Sequence, residues 1–129
     1  MKKIFLILGT VLLSTGIMKS QEILLENDKI NYGDINYGDD GHRDFVITNI
    51  GTEPLLINNV IGQCGCTSAI ENGKPGWPIE PIRPNGKGII KINYDTKRVG
   101  KFNKMITINS NDLKGEKKIF IYGNVLPQK

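Results

Sequence analysis

From Lys29 onward the chain is a succession of short stretches in which alternate residues are apolar, each closed by glycine, proline, asparagine or aspartate. This pattern constrains the fold more than any other feature, because a period of two lines up the apolar side chains on one side of an extended strand. Lys29 to Ile35 is the first run, followed by a polar turn from Gly38 to Gly41. Arg43 to Asn49 sets Phe45 and Ile47 on one side, and after the Gly51–Pro54 turn Pro54 to Ile61 does the same with Leu55 and Ile57. Gly88 to Tyr94 aligns Ile90, Ile92 and Tyr94, and Phe102 to Ser110 aligns Ile106 and Ile108. After the Asn111–Gly115 turn, Lys117 to Val125 aligns Ile119, Ile121 and Val125. No long stretch has apolar residues at helical spacing. The runs predict an all-β, antiparallel β-sandwich of about seven strands.

One stretch breaks the alternation. Lys74 to Gly88 contains Pro75, Pro78, Pro81 and Pro84 among Gly76, Gly86 and Gly88. Proline has no N–H to give to a ladder, so this segment is expected as a loop or irregular edge crossing. Trp77 and Ile79 within it are expected to fold back onto the core, and the competing reading makes Trp77 an exposed binding anchor.

The first residues have a different composition. Lys2 and Lys3 precede an uncharged apolar stretch from Ile4 to Ile17, which ends at Lys19, Ser20 and Gln21. That order is the pattern of a cleaved secretory signal peptide, here residues 1–20, leaving 21–129 as one mature domain. The apolar run is short for a membrane span and is interrupted by Gly9, Thr10, Ser14 and Thr15. Cleavage after Gly16 fits the small-x-small rule better, whereas cleavage after Ser20 opens a polar mature chain at Gln21. The expected location is periplasmic or secreted, with no membrane span once the leader is gone. Loss of Lys2, Lys3 and Lys19 takes Lys+Arg from 17 to 14 against 13 Asp+Glu, a balance of +1. A near-neutral chain without a run of like charge offers no track for phosphates, which argues against nucleic-acid binding.

The catalytic inventory is thin. His42 is the only histidine and lies in a Gly/Asp-rich turn, so any Ser-His-Asp or Cys-His arrangement depends on it alone. Asp34, Asp39, Asp40 and Asp44 miss the spacing of a calcium loop and read as turn formers and solvated charges, as do Asp28 and Asp112. No nucleophile-elbow or phosphate-loop motif is present.

Cys64-Gly65-Cys66 is the one distinctive constellation and holds both cysteines of the chain. Three states are open to it. A disulfide suits an oxidising compartment, but residues i and i+2 of an extended chain lie at the limit of disulfide geometry, so a bridge needs a tight turn that Gly65 permits. It would close a short loop and be easily reduced. A packed thiol pair is the second state, and a soft-metal site the third. Zinc normally takes four ligands and no further cysteine exists, so neither a metal nor a cofactor is expected.

The order of these pieces resembles the bacterial "domain of unknown function 1573" family. The resemblance rests on Phe45-Val46-Ile47-Thr48-Asn49, Gly51, Glu53-Pro54-Leu55-Leu56-Ile57, Cys64-Gly65-Cys66-Thr67, Pro81-Ile82-Arg83-Pro84 and Lys104 to Asn111, and spans about Asp28 to Pro127. It implies an exported immunoglobulin-like sandwich related to the ASPM, SPD and Hydin type domains, and no established activity, substrate or cofactor. Asn85 stands where that family usually has the glycine of a Pro-Gly turn. Asparagine also tolerates a left-handed backbone, so the turn is expected to survive.

These readings point to a non-catalytic module that holds another envelope protein, a glycan or a second copy of itself through its sheet edges or loops. The candidate contact residues are the Cys64–Cys66 pair with Gly65, Thr67 and Trp77. The alternative is an extracytoplasmic thiol-redox or soft-metal-handling factor working through Cys64 and Cys66.

Overall fold

A computed structural model of the chain describes residues 20–129; the leader reading falls, apart from Ser20, outside them. Among the described residues there is no helix. The strands in chain order are β1 (Ile23–Leu25), β2 (Lys29–Ile35), β3 (His42–Asn49), β4 (Ile57–Gly62), β5 (Thr67–Ser68), β6 (Ile70–Glu71), β7 (Lys74–Pro75), β8 (Lys87–Tyr94), β9 (Gly100–Ser110) and β10 (Lys117–Val125). They form two four-stranded sheets, ordered β1-β3-β8-β5 and β2-β10-β9-β4, with β6 and β7 as a separate small hairpin. Pairing is antiparallel except for β2, which lies parallel to β10.

The alternation does what its period requires. Phe45 and Ile47 of β3, Ile90, Ile92 and Tyr94 of β8, Ile106 and Ile108 of β9, and Ile119, Ile121 and Val125 of β10 are all buried between the sheets. Tyr94 stacks on Phe102 at 3.9 Å between ring centroids, and Tyr32 meets Phe102 edge-on at 5.3 Å. The Tyr32 hydroxyl donates to the Gly41 carbonyl at 2.7 Å, and the Arg43 guanidinium lies 4.1 Å over its ring. Burial pushes the Tyr32 phenol up to about 12, partly offset by Arg43, and also raises Tyr94.

Three departures from the expected runs have local causes. In β2, Asn31 to Asp34 spans the same length of ladder as Tyr122 to Asn124, so β2 carries one extra residue. Gly33 accommodates this bulge at a φ of 71°, and the insertion returns Ile35 to the core side while Asp34 faces out. Leu55 is buried but lies outside β4, held instead by a single bridge to Ile82. Within the proline-rich crossing, Trp77 packs against the core, whereas Ile79 is 67% exposed, contrary to expectation. Ile82 takes the interior place, and Pro78 lies against Gly88, where a Cβ would approach its ring to 2.7 Å.

One end of the sandwich is tied by buried polar groups. The Asn49 side-chain amide donates to the carbonyls of Glu53 and Ile82, both at 2.8 Å, and its oxygen accepts from the Gly51 N–H at 2.8 Å. Its own N–H donates to the Gly86 carbonyl, and its carbonyl accepts from Asn85. Pro84 and Asn85 form the middle of a turn in which the Gly86 N–H returns to the Arg83 carbonyl at 2.8 Å. Asn85 has a φ of 68°, the left-handed state its glycine-replacing position requires. Asp112 is buried rather than a solvated turn charge; it accepts from the Ile23 and Lys114 N–H groups at 2.9 and 2.7 Å. At this end the Ser20 carbonyl also accepts from the N–H groups of Thr52 and Glu53.

Candidate functional site

β4 runs beside β9 only as far as Gly62 opposite Ile106. One residue on, Gln63 still holds Met105: its N–H donates to the Met105 carbonyl at 2.9 Å, and its Oε1 accepts from the Met105 N–H at 2.9 Å. Then the chain leaves the sheet. Cys64, Gly65 and Cys66 turn it towards the opposite sheet, where Thr67 pairs with Tyr94 and the Cys66 carbonyl accepts from the Asp95 N–H. The Thr67 N–H closes the turn on the Cys64 carbonyl at 3.2 Å.

Cys64 and Cys66 are joined as a disulfide with Cα atoms 5.2 Å apart, the separation that a turn supplies and an extended chain does not. Both thiols are occupied by the bond, so soft-metal ligation would require reduction first. Among the described residues no group of three or more His, Cys, Asp or Glu side chains is placed to hold a metal ion. Gly65 is exposed, has no positive φ, and nothing lies within 4 Å of where a Cβ would stand, so the turn it was expected to permit forms without calling on glycine's conformational freedom. Thr67 is buried, its hydroxyl 3.5 Å from the Cys66 sulfur, and is not presented to a partner.

The turn leaves a length of β9 bare. Residues two apart on a strand aim their backbone groups the same way, so Lys101 and Asn103 point N–H and C=O alongside those of Met105, into the space β4 has vacated. Among the described residues no hydrogen bond reaches them from that side. β9 is eleven residues long, and its first part is therefore an open edge.

Trp77 does not join this site. It packs beside Ile89 and Lys91 on β8, near Gly76, whose carbonyl accepts from the Lys91 N–H. The Cys turn meets the chain at Asp95, just beyond the end of β8 and four residues, about 13 Å at normal rise, past Lys91. His42 is exposed and bonds Asp40 through Nδ1 at 2.7 Å. Hydrogen bonds from the His42 backbone N–H and then its ring hold the Asp40 carboxyl below the usual range. Among the described residues no nucleophile is bonded to the ring.

Two facing four-stranded sheets, with the chain changing sheet at the Cys turn, define an immunoglobulin-like β-sandwich. The chain belongs to the DUF1573 family of proteins of unknown function, which it matches over residues 23–125. No curated protein matches it. Among solved structures it is similar to a protein of unknown function from Porphyromonas gingivalis, at 17% identity and a TM-score of 0.68 over 85% of this chain. This chain spans 50% of the length of that protein. It is similar to the PapD-like domain 7 of human CEP192, at 13% identity and a TM-score of 0.64 over 88% of this chain and 92% of that domain. The YadV chaperone is a further likeness, at 13% identity and a TM-score of 0.57 over 81% of this chain and 52% of that one. At these identities the likeness is one of fold. Among the described residues no helix is long and apolar enough to cross a membrane.

Proposed function

We propose that the protein is a non-catalytic binding module of the cell envelope, exported by its leader, that takes an extended segment of another envelope protein as an added strand. The observation that carries this reading is the bare edge of β9 at Lys101 and Asn103, created where the Cys64–Cys66 turn leads β4 out of the sheet. A sheet edge with free N–H and C=O groups is a template for a further strand, with affinity from main-chain bonds and selectivity from alternate side chains. The chaperone likeness supports a protein-binding use of the fold.

Backbone chemistry supplies the test. Asn103→Pro removes a donor that the fold does not use, whereas Asn103→Ala keeps it. With a photo-reactive side chain at Lys101 in the native envelope, the expected result is a discrete partner cross-link, retained in Asn103→Ala and lost in Asn103→Pro. Hydrogen exchange gives an independent reading: the Lys101 and Asn103 amides should exchange rapidly in the isolated protein and slowly in the cross-linked complex. A cross-link indifferent to proline, or amides that stay unprotected in the complex, would overturn the proposal.

A further inference from the structure

The outward face of the sheet β2-β10-β9-β4 is not flat. Beside Tyr122 lies an open, shallow depression of about 540 Å³, with Asn31, Gly33 and Asp34 on one side and Lys101 and Asn103 on the other. The β2 bulge makes it. Gly33 occupies the extra position with open space above it, and Gly123 opposite lets β2 approach, since a Cβ there would come within 2.8 Å of the Tyr32 side chain and 2.9 Å of the Gly33 carbonyl. A second hollow of about 420 Å³ lies on the other flank of Tyr122, against Phe120, Lys29 and Asn103. The Tyr122 ring, 37% exposed, is thus a partition between two adjoining recesses, with three amides, Asn31, Asn103 and Asn124, around it beside Lys29, Lys101, Asp34 and Phe120.

The lining selects among ligand chemistries. Asn31 and Asn124 are partly engaged, with the Gly33 N–H and with Asp34, while among the described residues the side chains of Asn103 and Tyr122 hydrogen-bond no protein group. An amide side chain offers both donors and an acceptor, the set needed by a ligand whose rim is made of hydroxyls. A phosphate or nucleic acid would need several cations, yet Lys101 is the one cation lining the larger recess and Asp34 opposes it. A purely apolar ligand would strand the amides without partners. An aromatic ring with amides around it suits a molecule with an apolar C–H face and a hydroxyl rim.

We infer that this face is a saccharide-binding site, with Tyr122 stacking on the C–H face of a pyranose and Asn103, Asn31 and Asp34 bonding its hydroxyls. Two recesses meeting at one ring fit neighbouring units of an oligosaccharide rather than a single sugar. The site is separate from the strand-accepting edge, because it uses side chains on the face of the sheet and not the backbone groups of its border.

The test is a two-dimensional amide NMR titration with hexasaccharides of glucose, of N-acetylglucosamine and of alternating N-acetylglucosamine and uronic acid. The expected result is that at least one moves amides within 31–34, 101–103 and 120–124 in a saturable manner. Tyr122→Ala should weaken that binding about tenfold or more and Asn103→Ala by several-fold, while Tyr122→Phe keeps most of it and Ile79→Ala, on the exposed crossing, changes nothing. Tyr122→Ala should leave the Lys101 cross-link intact, so failure here and failure of the strand-addition reading can be told apart. No saturable shift with any of the three oligosaccharides, or shifts unaffected by Tyr122→Ala, would overturn the inference.

Discussion

Asn49 and the Cys64–Cys66 turn both end a strand, yet they treat the backbone beyond it in opposite ways. At Asn49, five hydrogen bonds from one residue gather the end of β3, the Gly51 loop, the Leu55–Ile82 bridge and the Pro84–Gly86 turn. At the Cys turn the chain is released from its sheet, and the neighbouring strand is left with backbone groups that no hydrogen bond from the described residues reaches. The difference teaches where stability and binding reside in so small a domain. Buried amides with every partner supplied close one end, so the opposite flank can leave main-chain groups to water or to a partner.

The largest expected effect is at the closed end. Asn49→Leu removes three side-chain bonds, orphans the Glu53 carbonyl and the Gly51 N–H, and leaves the Ile82 carbonyl with the Leu55 N–H alone, which should cost about 3 kcal/mol in urea unfolding. A loss below about 1 kcal/mol would break the contrast, because Asn49 would then be replaceable filler.

Next comes the aromatic cluster at the open end. The Tyr32 phenol ionises near 12 in the fold and near 10 when unfolded. Its stabilising contribution is therefore complete below pH 10 and falls as pH rises from 10 towards 12, by about 2–3 kcal/mol in total. Unfolding curves between pH 9 and 12 should show this slope, and Tyr32→Phe should flatten it, leaving the shallower contribution of Tyr94.

A smaller effect is expected at the turn. Replacing both Cys64 and Cys66 by serine should cost about 1–2 kcal/mol with the fold retained, since the bond closes a very short loop. The bonds from Thr67 to Cys64 and from Asp95 to Cys66 remain to hold the turn. If the doubly substituted protein instead unfolds, the covalent bond and not the hydrogen bonding directs the chain out of the sheet.

Smallest of all should be Asn103→Pro, within about 0.5 kcal/mol of the parent, because an edge proline facing solvent removes no ladder bond. A larger loss would mean that the edge is already satisfied within the molecule.

Much of the framework was legible in the sequence. The runs from Lys29 to Ile35 and Lys117 to Val125 coincide with β2 and β10, and the interior faces of β3, β8 and β9 follow from their isoleucines. Period-two burial is a local property, so residue order suffices to reveal it. The short strands β1, β5, β6 and β7 were not legible, because three residues or fewer carry no periodicity and exist only through their neighbours. Asp112 reads as a turn residue until Ile23, 89 positions away, is placed against it. The Cys-Gly-Cys motif is conspicuous in the sequence, whereas the open backbone lies across from it, on a strand whose own sequence looks ordinary. Thr67 stays with the Cys turn but is buried there, whereas Trp77 packs further back along β8. The saccharide face had one sequence clue, a glycine inside an otherwise regular strand.

The parallel pairing of β2 with β10 has a consequence for how the molecule comes into being. β10 is not a border strand; it lies between β2 and β9, with β2 alone on its far side. A polypeptide emerging amino-terminus first from a ribosome or through a pore therefore cannot complete this sheet until β10 is free, however early β2 was made. Until then β2 and β9 are held apart, and the nascent chain stays threadable.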